Sequence, residues 1–130
     1  MNPTPPSEPT RPTGLLLTRD LFFTSKITST AQALGLTVHV AGNHALAAAL
    51  IQDHRPRVVF LDLAAAGLTS PAAIQTYRQL APHPTTFIAF GSHVDSDALD
   101  AARAAGCDTV LPRRKFSAEL PTLLNHHLGR

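Results

Sequence analysis

Four short stretches of this 130-residue sequence carry polar side chains directly after an apolar run. Asp62 ends Val58-Val59-Phe60-Leu61, and Thr18, Arg19 and Asp20 follow Leu15-Leu16-Leu17. Gly91 and Ser92 follow Phe87-Ile88-Ala89-Phe90, and Arg113 comes after Thr109-Val110-Leu111 and Pro112. Carboxylates at such positions can ligate a divalent cation. Hydroxyls can donate to an anion, and a guanidinium can grip a carboxylate or phosphate with two parallel bonds. An aspartate at a strand end also caps the loop that follows it, so Asp62 alone does not separate these uses. Arg19 adds a constraint, because its charge repels a divalent metal.

Other chemistries lack the residues they need. His39, His44, His54, His83 and His93 fall on different segments, and His126-His127 are adjacent, which puts them on different helix faces. Zinc sites pair their ligands at short fixed spacings, so no metal site is expected. His93, just after Gly91-Ser92, reads as a surface-loop histidine. The single cysteine, Cys107, has no disulfide partner in the chain and reads as a small buried thiol, which fits a reducing, cytoplasmic setting. No nucleophile elbow, dinucleotide fingerprint, phosphate loop or cobalamin-type Asp-x-His-x-x-Gly run is present, so no catalytic residue is assigned and the chain is not expected to be an enzyme. The net charge of +2, with one dense basic run at Arg113-Arg114-Lys115, gives no support to nucleic-acid binding. No apolar run approaches the ~20 residues of a membrane span, and the N-terminus lacks the pattern of a signal peptide.

The elements that must position these residues follow from periodicity. Residues 1–13, with Pro3, Pro5, Pro6, Pro9 and Pro12 among small polar residues, read as a disordered tail, leaving residues 14–130 as one domain. Five strand-then-helix units fit the remainder. Leu15 to Leu17 precede a helix with Phe23, Ile27, Ala31 and Leu34 at helical spacing before Gly35. Leu36 to Val40 alternate like an edge strand, and Asn43 caps a helix carrying Leu46, Leu50 and Ile51. Val58 to Leu61, apolar throughout, read as a central strand buried on both faces. Ser70-Pro71 start a helix with Ile74, Tyr77 and Leu80 inward, and Phe87 to Phe90 form a fourth strand. Asp95 or Ser96 caps a helix closed by Gly106, Thr109 to Leu111 form a short fifth strand, and Ser117 begins a helix with Leu120, Leu123 and Leu124 inward. The expected fold class is α/β, a flavodoxin-like three-layer sandwich around a five-stranded parallel sheet in the order 2-1-3-4-5. That order brings Thr18, Arg19, Asp20, Asp62, Gly91, Ser92 and Arg113 together at the carboxyl ends of the strands.

Leu-Leu-Leu-Thr-Arg-Asp, Val-Val-Phe-Leu-Asp-Leu, Phe-Ile-Ala-Phe-Gly-Ser and Ala-Ala-Gly-Cys-Asp-Thr-Val-Leu-Pro-Arg, with the spacing between them, resemble the receiver domain of two-component response regulators. The resemblance spans Gly14 to about Leu124. It implies Asp62 as the phosphoacceptor position, with Thr18, Arg19 and Asp20 where the family keeps the acids that help hold Mg²⁺. It implies Gly91 or Ser92 at the phosphate-reading Ser or Thr, and Arg113 in place of the family's Lys. Only Asp62 keeps the family's residue type. With one acid at most beside it, the resemblance points to a degenerate receiver of the pseudo-receiver type, with no cofactor. Such a module works through a signalling protein, a histidine kinase or a downstream effector, on the face of the fourth helix, fifth strand and fifth helix; a homodimer is compatible.

Two alternatives accompany that expectation: a phosphorylatable response regulator in which Asp62 takes the phosphoryl group and Asp20 helps bind Mg²⁺, and a sensor of an anion or small molecule through Arg19, Arg113 and Arg114. The missing acid leads to one further expectation, that Arg19 pairs with Asp62 and supplies the charge a metal would have brought.

Overall fold

The computed structural model describes residues 11–129. Five strands alternate with five helices: β1 (Thr13–Leu17), α1 (Leu21–Ala33), β2 (Thr37–Ala41), α2 (His44–His54), β3 (Val58–Asp62), α3 (Pro71–Leu80), β4 (Thr86–Gly91), α4 (Ser96–Ala105), β5 (Thr109–Pro112) and α5 (Arg113–Leu128). The strands form one sheet in the order β2-β1-β3-β4-β5, every neighbouring pair parallel. This is the flavodoxin-like (βα)5 arrangement that the alternation of strand and helix patterns implied. The proline-rich stretch expected to be a tail lies outside the described residues as far as Thr10, and Thr13 opens β1.

Each strand sends alternate side chains to opposite faces, and two apolar layers result. Leu16, Val58, Phe60, Ile88 and Phe90 meet Phe23 and Ile27 of α1 and Phe116, Leu120 and Leu124 of α5. Leu15, Leu17, Val59, Leu61, Phe87 and Ala89 meet α2, α3 and α4 through Ala47, Ile51, Ile74, Tyr77, Leu99 and Ala102. All five residues of β3 are buried, as a strand covered on both sides must be. The edge position of β2 agrees with its alternating pattern.

The helix starts follow their capping chemistry. Asp20, Asn43, Ser70 and Asp95 each accept from backbone N–H groups of the first turn of α1, α2, α3 and α4. Gly106 ends α4 at φ 117°, a left-handed conformation that a Cβ disfavours. Two expectations need correction. α5 begins at Arg113 rather than Ser117, because Pro112, at φ −59°, starts the helix directly from the strand and brings Phe116 into the core. Leu46 is exposed, and the smaller Ala47 with Ile51 forms the inward face of α2.

Phe60 is fully buried and meets Phe116 edge-on at 5.6 Å between ring centroids. Phe60→Ala is expected to destabilise the domain by about 3–5 kcal/mol in urea denaturation, since the cavity it leaves is walled by rigid strands.

Candidate functional site

The register of the sheet decides which polar side chains meet. Leu17 pairs with Leu61 across β1 and β3, so Thr18 and Asp62, the next residues, are neighbours at the strand ends. The alternation that sends Leu16, Val58 and Phe60 toward α1 and α5 sends Thr18 and Asp62 the same way. Asp62 is 2% exposed, and Thr18 is buried beside it. A buried carboxylate must be given hydrogen bonds in place of water.

Three donors supply them. The Thr18 hydroxyl donates to Asp62 Oδ2 at 2.7 Å, while Asp62 Oδ1 accepts the Ala64 N–H at 3.0 Å and Arg113 Nη2 at 3.3 Å. Arg113 reaches the carboxylate from the first residue of α5, where Pro112, paired with Gly91 of β4, sets the backbone. Its guanidinium carbon lies 5.4 Å from the ring centroid of Phe23, which adds a cation–π contact, and its Nε is buried without a partner among the described residues. The Thr18 oxygen also accepts the Asp20 N–H at 3.0 Å, tying the β1–α1 loop to the same point.

Arg19 does not pair with Asp62. Its Nε donates to the Gly42 carbonyl at 3.1 Å and its Nη1 to the Ala66 carbonyl at 2.7 Å. The reason is the strand alternation: Arg19 continues the side of Leu15 and Leu17, which faces α2 and α3, whereas Asp62 faces α1 and α5. Arg19 instead joins the β2–α2 loop to the β3–α3 loop. The β3–α3 loop is held further by Thr69, whose hydroxyl donates to the Asp62 backbone carbonyl at 2.7 Å, and by Tyr77, whose hydroxyl donates to the Leu68 carbonyl at 2.7 Å. Burial raises the Tyr77 pKa, and the Arg19 charge offsets part of that rise.

The remaining positions singled out by sequence serve local structure. Asp20 spends one carboxylate oxygen on the N–H groups of Phe22 and Phe23, at 2.8 and 3.3 Å, as the cap of α1. Gly91 is where Leu63 packs: a Cβ built on Gly91 would lie 3.3 Å from both Cβ and Cδ1 of Leu63. The Ser92 hydroxyl accepts the Val94 N–H at 3.4 Å within its own turn. Sequence reasoning brought Thr18, Asp62 and Arg113 to the site but missed Thr69 and Tyr77, whose bonds run to backbone carbonyls and leave no pattern in the sequence.

The residues present do not fit Mg²⁺. Asp62 is the one buried carboxylate among the described residues, and the Arg113 cation bonded to its Oδ1 repels a divalent ion. Among the described residues no three His, Cys, Asp or Glu side chains gather as a metal cluster.

No protein-family model and no curated protein matches the sequence. Solved structures do match. A two-component response regulator from Clostridium difficile superposes with a TM-score of 0.78 at 15% identity, over 92% of this chain and 98% of that one. A response regulator from Thermotoga maritima gives 0.75 at 18% identity, over 93% and 100%. The chain has the receiver-domain fold. A third match, from a co-crystal of a Saccharomyces cerevisiae histidine phosphotransfer signalling protein with the receiver domain of its downstream response regulator, gives 0.76 at 14% identity, over 91% and 89%. Within that receiver fold, Asp62 closes the central strand, and Thr18 and Arg113 close over it.

Thr18→Val keeps the shape of the side chain and removes its hydroxyl. It is expected to cost about 1–3 kcal/mol in urea denaturation, because the Asp62 carboxylate and the Asp20 N–H both lose a partner. At Cys107, burial, with a smaller contribution from Asp108, pushes the thiol pKa up to about 11 against the opposing charge of Arg78. The group is therefore protonated at neutral pH, and iodoacetamide is expected to label it slowly in the folded chain and readily once the chain is unfolded.

Proposed function

We propose that this chain is a receiver-fold signalling module in which the phosphoacceptor position has become a structural acceptor, and that it works by binding another protein rather than by passing on a phosphoryl group. The observation that carries this reading is the full engagement of Asp62 by Thr18, Ala64 and Arg113. A carboxylate oxygen that attacks a phosphodonor must shed its donors and needs a cation to neutralise the incoming oxygens. Here the nearest cation neutralises the nucleophile instead.

A protein partner, a histidine kinase or a downstream effector, suits the surface around the site. Leu21 and Phe22 at the start of α1 are 83% and 70% exposed, and Val94 in the β4–α4 loop is 78% exposed. All three flank the carboxyl ends of the strands, and exposed apolar side chains of this size favour contact with another protein. The three most exposed large apolar side chains among the described residues thus lie at the start of α1 and before α4 rather than on the α4, β5 and α5 face implied by the resemblance, with Leu34 and Leu46 exposed to a smaller degree elsewhere. The yeast co-crystal joins a protein of the same fold to a phosphotransfer protein, which supports a partner of that class.

The competing reading is a phosphorylatable receiver. A neighbour of the same fold, from Burkholderia pseudomallei, contains a phosphorylated aspartic acid and a calcium ion, and Asp62 ends the strand next to β1 in this chain. For that reading Arg113 must yield its place on Asp62 Oδ1 to the phosphoryl group, and Asp20 must offer a cation the oxygen that does not cap α1. The sensor reading has less behind it, since Arg19 spends its donors on two carbonyls and Arg113 is already paired with a carboxylate.

Treatment with acetyl phosphate, with and without Mg²⁺, followed by intact mass measurement, tests the proposal. The expected result is an unmodified chain under both conditions. A Mg²⁺-dependent phosphoryl adduct that disappears in Asp62→Asn would establish the competing reading.

A further inference from the structure

The chain carries a second cluster of titratable groups, on the α2 side of the sheet and independent of the reading given to Asp62. Helix α2 buries only Ala47 and Ile51 fully, so little apolar contact holds it to the sheet. Each of its ends is fastened by a histidine. At the start, His44 Nδ1 lies 3.0 Å from the Tyr77 hydroxyl; at the end, the His54 ring stacks on His39 of β2, with centroids 4.0 Å apart and planes 23° from parallel. We propose that the His39–His54 stack is a proton-operated clasp that releases the C-terminal end of α2 from the edge strand as the medium turns mildly acidic.

The two ends respond to acid differently. The Tyr77 hydroxyl gives its proton to the Leu68 carbonyl, so in the His44 contact the tyrosine oxygen accepts and His44 Nδ1–H donates. An imidazolium keeps that N–H, and this end stays fastened when His44 is protonated. At the other end, two protons would place like charges on rings 4.0 Å apart. Closing the clasp over two imidazolium rings meets that repulsion.

The surroundings of His39 give it no compensating anion. β1, which pairs Leu15 with His39, contains no titratable side chain, and α1, on the other face of the sheet, carries Lys26. α2 carries Asp53 beside His54, with Arg55 following, and of these it is the His54 charge that acts on His39. Burial first and His54 second hold the His39 pKa below its ordinary value of 6.5. The closed clasp therefore binds fewer protons than the open one. Closure is fully favoured above about pH 6.5, and opening gains as the pH falls below that value. With its N-terminal end held by Tyr77 and by the Arg19 bond to Gly42, and with Pro56 and Arg57 bonded to Thr85, Thr13 and Thr86, opening is confined to the last turn of α2 and uncovers the His39 ring on β2.

The test is an NMR titration of the His39 ring in the full chain, together with amide exchange corrected for its intrinsic rate at about pH 7.5 and 5.5. The expected results are a His39 midpoint below 6.5 and acid-enhanced exchange at 51–54, by up to about tenfold per pH unit for one proton taken up, beyond any change in β3. His54→Gln should raise the His39 midpoint and reduce the enhancement. His126→Gln, altering the separate His126–His127 pair, should change neither. A His39 midpoint at or above 6.5, an enhancement undiminished in His54→Gln, or one shared equally by β3, would overturn the proposal.

Discussion

A carboxylate at the end of a strand buried on both faces has to be satisfied by the protein, and the arrangement around Asp62 follows from that requirement. Water cannot reach a group that is 2% exposed in numbers sufficient to solvate it. The fold offers three sources of donors: the end of β1 next to it, the loop that follows it, and the start of α5 across it. Each provides one, through Thr18, Ala64 and Arg113. Because these donors belong to three different elements, the single carboxylate also fixes the relative positions of β1, β3 and α5. A receiver fold that relied on a metal at this point would need acids here, and acids without the metal would repel one another. In the function proposed here, Thr18 and Arg113 take the place of that metal.

The rest of the site is consistent with this division of labour. Asp20 caps α1, and Gly91, without a side chain, leaves the space that Leu63 fills. Arg19 holds two neighbouring loops by their carbonyls on the opposite side of the sheet. The Phe23 ring under the Arg113 guanidinium and the stacked pair of Phe90 and Phe116, with centroids 4.1 Å apart, anchor the start of α5 from below. The result is a well-packed carboxyl end of the sheet, flanked by the exposed apolar side chains of Leu21, Phe22 and Val94.

Most of the fold is legible in the sequence because its signals are local. The continuous apolar runs at Val58–Leu61 and Phe87–Phe90, the caps at Asn43 and Ser70-Pro71, and the glycine at 106 each act within a few residues. The start of α5 was obscured because Pro112 is both the last residue of β5 and the helix cap, a dual use that Ser117 masks with a more familiar pattern. At the site, the residues were legible and their pairing was not. The topology brings Arg19 and Asp62 to neighbouring strand ends, and charge alone suggests a pair. Counting the alternation from the buried Leu16 and Phe60 would have put Thr18 with Asp62 and Arg19 on the other face. That count was available in the sequence once the register of β1 against β3 was assumed. The bonds from Thr69 and Tyr77 to main-chain carbonyls depend on loop conformation and leave no such trace.

The central claim is that Asp62 is an acceptor the fold depends on, and the sign of one stability change tests it. Asp62→Asn replaces the carboxylate with a neutral group of the same shape. If Asp62 is held by Thr18 and Arg113, the substitution weakens its charge-assisted bonds and leaves the Arg113 cation partly unpaired, so urea denaturation without added metal should show a loss of about 1–3 kcal/mol. If Asp62 instead belongs to a pocket of acids awaiting a metal, the same substitution relieves repulsion, and an unchanged or increased stability would contradict the account.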